Sequence, residues 1–144
     1  MTTVRHDTTI RVRYADTDKM GVVYNGNYLR YFEIGRTELL RHIGVPYAQL
    51  EAQGALLPVI EAHIEYLRPA RYDDLLTVRT TYAVDRTPVL RLAYEIVVDS
   101  DVIARGSTRH TFVDHATFKP IRPPRLFLDA VERACSDTLQ SVQQ

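Results

Sequence analysis

The chain has 144 residues, 45% of them hydrophobic, with 18 Lys plus Arg balanced by 18 Asp plus Glu. That length suffices for the core of one domain spanning residues 1–144, and a formal charge of zero gives no general pull toward nucleic acid or an anionic membrane surface. The lone Cys135 cannot form an internal disulfide, no apolar run is long enough for a bilayer, and Met1–Asp7 holds no hydrophobic signal segment, so a cytoplasmic setting is expected.

In chain order, Ile10-Arg-Val-Arg-Tyr14 alternates apolar and polar residues, which predicts a half-buried strand, followed by a loop over 15–24. From about Gly26 to Ile43 the period becomes helical: Tyr28, Phe32, Gly35, Leu39 and Ile43 form one stripe, and Leu29, Tyr31 and Leu40 widen it. A helix this apolar needs cover on more than one side. Gly44 is placed to cap it, with Pro46 just beyond. Gly35 costs the helix about 1 kcal/mol relative to Ala, which close approach of a strand backbone would justify.

Alternation then returns three times, at Ile60–Tyr66, Leu76–Val84 and Leu90–Val98, before a less regular segment from Val102 to Val113. Gly106 within that last segment predicts a bulge or bend. Asp85–Pro88 and Asp99–Asp101 read as hairpin turns, so the strands they join should be antiparallel. Pro120, Pro123 and Pro124 close the sheet, the core covers about 8–124, and a terminal helix is expected over about 125–139. One long helix with about five amphipathic strands is an α+β domain, economically packed as an antiparallel sheet wrapped around the helix.

The densest chemistry lies between the first strand and the helix. Asp18 is a carboxylate a few residues ahead of a helix N-terminus, where unpaired N–H groups carry partial positive charge and can hold an oxyanion. Spacing alone equally allows Asp18 to be a turn former or cap. Other chemistries fit poorly. Asp16 and Asp18 start a calcium-loop pattern, but Met20 and Asn27 stand where oxygen ligands should be. Gly106-Ser107-Thr108 lacks the glycines and the strand-to-helix turn of a nucleophile elbow, there is no phosphate-binding glycine fingerprint, and no spacing suggests a metal site.

The motif Tyr14-x-Asp-Thr-Asp18-x-x-Gly21-Val-Val-Tyr24-x-x-x-Tyr28-Leu-x-Tyr-Phe-Glu33-x-x-Arg36 resembles the hot-dog-fold acyl-CoA thioesterases, in the 4-hydroxybenzoyl-CoA thioesterase-like and Tol–Pal-cluster branch. The similarity continues through Tyr66-Leu-Arg-Pro-Ala-Arg-Tyr-Asp-Asp74 to about Pro124. It implies a hot-dog fold and hydrolysis of a short- or medium-chain or aromatic acyl-CoA without metal or other cofactor, coenzyme A entering as part of the substrate. It also implies a homodimer assembling to a homotetramer.

By that resemblance Asp18 is the catalytic carboxylate, either attacking the thioester carbonyl or activating a water. The backbone N–H of Asn25, with that of Gly26, would polarise the carbonyl, and a glycine at 26 lets the thioester come close. Tyr14, Tyr24 and Val59 would shape the acyl pocket, while Asp16 holds the loop. Arg86 and Arg68, with Arg71 a further candidate, would meet the phosphates of coenzyme A. One departure stands out: the Tol–Pal branch often has His where this chain has Asn25, so chemistry needing that imidazole is absent and the load falls on Asp18. The alternative of another class is a non-catalytic hot-dog module that binds acyl-CoA or acyl-carrier-protein thioesters.

Overall fold

The structure, a computed structural model, describes residues 2–85 and 87–143, with side chains as far as residue 136. Its elements are β1 (Thr3–Arg11), α1 (Asn27–His42), α2 (Tyr47–Ala52), β2 (Ala55–Leu56), β3 (Val59–Tyr66), β4 (Leu75–Ala83), β5 (Val89–Val98), β6 (Asp101–Thr111), β7 (Val113–Asp114) and α3 (Arg125–Gln143). Five strands form one antiparallel sheet in the order β1-β4-β5-β6-β3, and β2 pairs with β7.

Period-two patterning sets which face of the sheet is buried. Leu76, Val78, Thr80 and Tyr82 of β4, with Leu90, Leu92, Tyr94 and Ile96 of β5, turn inward onto α1. The helix answers with Tyr28, Tyr31, Phe32, Gly35, Leu39 and Leu40, all buried. Phe32 stacks on Tyr94 with ring centroids 4.3 Å apart. Each such side chain contributes about 1.5–3 kcal/mol on burial, so this seam outweighs a glycine in the helix.

That glycine lets α1 sit close on the inward side chains of β4. A Cβ on Gly35 would lie 2.5 Å from Thr80 Oγ1 and 2.8 Å from Val78 Cγ1. Gly106 has the same origin, which corrects the expected bulge. The ladder is continuous there, Gly106 pairing with both Ile64 and Tyr94. The residue is small because a Cβ would run into the His63 carbonyl oxygen of β3 and then into the Phe32 ring, 2.7 Å away. The irregularities fall instead between Val59 and Glu61 and between Ile96 and Val97.

Other expectations change at their edges. β1 starts at Thr3 and stops at Arg11, and Tyr14–Asp16 is a 3-10 turn instead of strand. The cause is Asp16, whose carboxylate accepts the Arg13 backbone N–H at 3.0 Å and curls the chain before Tyr14 can pair. The hairpin at residues 99–100 is a two-residue turn with Asp99 and Ser100 both at positive φ, 49° and 73°. Gly44, at φ 93°, terminates α1 as expected. The terminal helix runs to Gln143, beyond the expected 139. The short α2 and β2 carry no strong periodicity and were not expected.

The alternation of β3 does not translate into burial. It is the last strand of the sheet, and every residue except Ile64 is exposed. Val59, Ile60 and Tyr66, with the following Leu67, present apolar surface beside an unpaired strand edge.

Candidate active site

The loop between β1 and α1 is a small hairpin hung on Asp16. Asp16 is 2% exposed, and its carboxylate accepts from Arg30 Nη2 at 2.6 Å, Arg13 Nη2 at 3.1 Å and the Tyr31 hydroxyl at 3.1 Å. Burial by itself would raise this carboxyl. The Arg13 amide and guanidinium, then Arg30 and Tyr31, overcome that and hold it at about 2. The Asp16 carbonyl accepts from the Tyr24 N–H at 3.0 Å and from Asn27 Nδ2 at 2.8 Å, tying the loop to the first turn of α1. Asp16 is therefore a structural carboxylate.

Asp18 sits farther out on the same hairpin. Its N–H donates to the Val22 carbonyl at 2.9 Å, its carbonyl accepts from Gly21 at 3.0 Å, and Thr17 bridges to Val23. One side-chain oxygen, Oδ1, accepts the Met20 N–H at 2.8 Å, which orients the carboxylate. Oδ2 has no hydrogen-bond partner among the described residues. The group is half-buried, partnered on one side and free on the other. That arrangement suits a nucleophile or a base.

Across a cleft of about 410 Å³, Asp18 faces the entrance of α1 together with Tyr24, Asn25, Tyr28, Tyr66 and Arg68. The backbone N–H groups of Asn25 and Gly26 have no acceptor among the described residues. They lie just ahead of the helix, where the dipole favours negative charge. The Asn25 carbonyl is pinned by the Tyr66 hydroxyl, which donates to it at 2.9 Å. Tyr66 packs edge-on against Tyr28, with centroids 5.1 Å apart, and burial raises the Tyr28 hydroxyl above its ordinary value. A carboxylate with one free oxygen, two free amides and a fixed peptide plane can bind a carbonyl and attack or hydrate it.

Of the residues expected from sequence, Asp18, Tyr24, Asn25 and Arg68 line this cleft, and Gly26 adjoins it. Arg68 also reaches Asp101 at 2.9 Å, an exposed pair that leaves it reorientable. Tyr14 lies elsewhere, 78% exposed and edge-on to Tyr72. Val59, at the far end of β3 from Tyr66, lines a separate cavity beside Arg36. Arg86 lies outside the described residues. Among those residues, no three His, Cys, Asp or Glu side chains gather into a metal-binding set. Sequence reasoning missed Tyr66: its strand pattern was visible, but nothing local tells that its hydroxyl crosses to residue 25.

A family model described as the thioesterase-like superfamily matches residues 12–133. The acyl-CoA thioester hydrolase YbgC of Escherichia coli O6:H1 is 33% identical over 117 residues, covering 81% of this chain and 87% of that protein. The 1,4-dihydroxy-2-naphthoyl-CoA hydrolase of Thermosynechococcus vestitus is 32% identical, covering 78% of this chain and 80% of that one. The structure of a DHNA-CoA thioesterase from Staphylococcus aureus superposes with a TM-score of 0.84 at 34% identity, covering 96% of this chain and 93% of that one. The five-stranded antiparallel sheet around one helix is the hot-dog architecture expected from the sequence. With the fold, the motif and the family match in agreement, the chain belongs to the thioesterase-like superfamily.

Proposed function

We propose that this protein is an acyl-CoA thioesterase, converting RCO–S–CoA and water to a free acid and CoA thiol, with R aromatic or a short to medium aliphatic chain. The observation that carries the reading is one cleft holding a carboxylate with a free oxygen opposite two unpaired amides at a helix entrance. The names of the relatives support the substrate class.

In this reading the thioester oxygen takes the N–H groups of Asn25 and Gly26. The free oxygen of Asp18 then either adds to the carbonyl carbon, giving an anhydride that water opens, or removes a proton from the attacking water. In both routes the C–S bond breaks and the thiolate leaves with a proton. The reaction is neither oxidative nor reductive, and in this proposal the carboxylate and the two amides carry it without metal or organic cofactor. Tyr24 flanks the reacting group, and Arg68, with Arg86, meets the phosphates of coenzyme A.

The functional unit in this proposal is a homodimer, further assembled to a tetramer. The unpaired, partly apolar β3 edge supports it, since such an edge invites a second copy. Two-fold antiparallel pairing of β3 edges crosses their ends, setting Val59 of one copy near Tyr66 of the other. No helix among the described residues is long and apolar enough to cross a membrane, and a cytoplasmic enzyme fits the single free Cys135.

The test is thiol release across a panel of aromatic and aliphatic acyl-CoA esters, with Asp18→Asn alongside. Substitution should lower kcat by about 10²–10⁴ on every ester that the native protein cleaves. An Asp18→Asn protein with native turnover would overturn the mechanism. Saturable binding of acyl-CoA with no hydrolysis by the native protein would make it a binding module instead.

A further inference from the structure

Arg36 is a half-buried cation without a counter-charge. Arg30, on the same helix, pairs with Asp16 at 2.6 Å. No carboxylate oxygen of a described residue lies within 4.0 Å of Arg36. It helps line a recessed cavity of about 230 Å³, whose wall is otherwise largely apolar and includes Leu40, Leu57, Leu92 and Phe127. Glu33 belongs to the same lining but is exposed, so solvent screens its charge.

What the guanidinium meets on the protein side is neutral. Its charge acts on the Tyr94 hydroxyl and on His110, both uncharged groups. That hydroxyl shares a 2.7 Å bond with Thr108 Oγ1, which in turn sits 2.8 Å from His110 Nε2. His110 is fully buried, and burial, then the Arg36 charge, lowers it to about 4, so it is an uncharged imidazole near neutral pH. A partly desolvated charge facing neutral dipoles and an apolar chamber is an unfinished ion pair. Guanidinium is suited to complete it with a planar carboxylate or a phenolate. The chamber is large enough for more than one ring, since an apolar cavity of about 150 Å³ already holds benzene.

We propose that this cavity is a binding site for a compact, mainly apolar acid, whose single anionic oxygen group pairs with Arg36. The acid is either the far end of an acyl group still joined to coenzyme A or a free acid. The site lies apart from the Asp18 cleft in the protomer and does not depend on the thioesterase reading.

The probe is 2-naphthoate, with 2-naphthamide as its neutral counterpart, titrated calorimetrically into the full chain. The native protein should bind the acid saturably and at least about tenfold more tightly than the amide, a difference of about 1.4 kcal/mol. Arg36→Met should abolish that preference, Arg36→Lys should keep part of it, and Leu92→Phe should weaken both ligands by filling the chamber. Asp18→Asn should bind the acid as the native protein does. Competitive inhibition of thiol release by 2-naphthoate would assign the cavity to the acyl end, and non-competitive inhibition to a free acid; both support the site. Absence of saturable binding, equal affinity for acid and amide, or a preference that survives Arg36→Met would overturn it. So would loss of binding in Asp18→Asn. Should Arg36→Met fail to fold, unchanged binding in Leu92→Phe would be equally decisive against the proposal. A protein that releases no thiol would end the thioesterase reading while leaving the calorimetry intact.

Discussion

Replacing Asp16 with Asn tests the claim that this carboxylate holds the loop on which Asp18 is mounted. A carboxyl kept at about 2 in the fold, against 3.8 without its partners, adds at most about 2 kcal/mol to stability above pH 4. Its partner guanidinium groups are 64% and 40% exposed, so water screens part of this and about 1–2 kcal/mol is expected. The Asn side chain also places an NH₂ where an acceptor took hydrogen bonds, and an unsatisfied buried donor costs about 1–3 kcal/mol. The total, about 2–5 kcal/mol, corresponds to a melting point lower by about 8–20 °C for a chain of this size. Urea unfolding of both proteins from pH 7 down to about pH 3 gives the second signature. Because the folded carboxyl titrates lower than the unfolded one, its stabilisation is complete above about pH 4 and fades as the pH falls through the native value. The gap between native and Asp16→Asn should therefore narrow in acid. Melting points within about 2 °C of each other at pH 7, or a gap that stays constant into acid, would refute the assignment.

Two further outcomes follow from the geometry. Tyr66→Phe removes the hydroxyl that fixes the Asn25 carbonyl, so kcat should fall about three- to tenfold with KM little changed, equivalent to about 0.7–1.4 kcal/mol of lost positioning; an unchanged kcat would separate Tyr66 from the chemistry. His110 is lowered from 6.5 to about 4 in the fold, so the unfolded chain binds the extra proton between those values. Stability should then decline by up to about 3 kcal/mol as pH drops from 6.5 to 4. His110→Gln should flatten that decline in urea midpoints, leaving the smaller slope in the same direction from His6, also lowered by burial and by His42. A slope untouched by the substitution would place its origin elsewhere.

Much of the architecture was legible from local pattern. The inward sets of β4 and β5 and the stripe from Tyr28 to Leu39 are statements about side-chain period, and period survives folding because each element obeys its own geometry. The loop carboxylate ahead of a helix was equally visible, and the resemblance supplied its role. Two readings were reversed or lost because they depend on neighbours. Gly106 looked like a bulge, yet its smallness belongs to the His63 carbonyl and the Phe32 ring that crowd it. The alternation of β3 promised a buried face, but its place at the sheet edge leaves both faces open.

What the sequence determined by itself was the fold class, the helix with its apolar stripe, and the position of Asp18 between strand and helix. Only the tertiary structure decided which groups meet across distant segments. Tyr66 reaches Asn25 over a separation of 41 residues, the Tyr94 hydroxyl of β5 bonds Thr108 of β6, which bonds His110, and Val59 lines a cavity with Arg36 of α1, apart from the Asp18 cleft within the protomer. The reason is physical. Periodicity and capping are encoded in neighbouring residues, whereas a hydrogen bond or an unmatched charge between elements exists only once packing has set their distance.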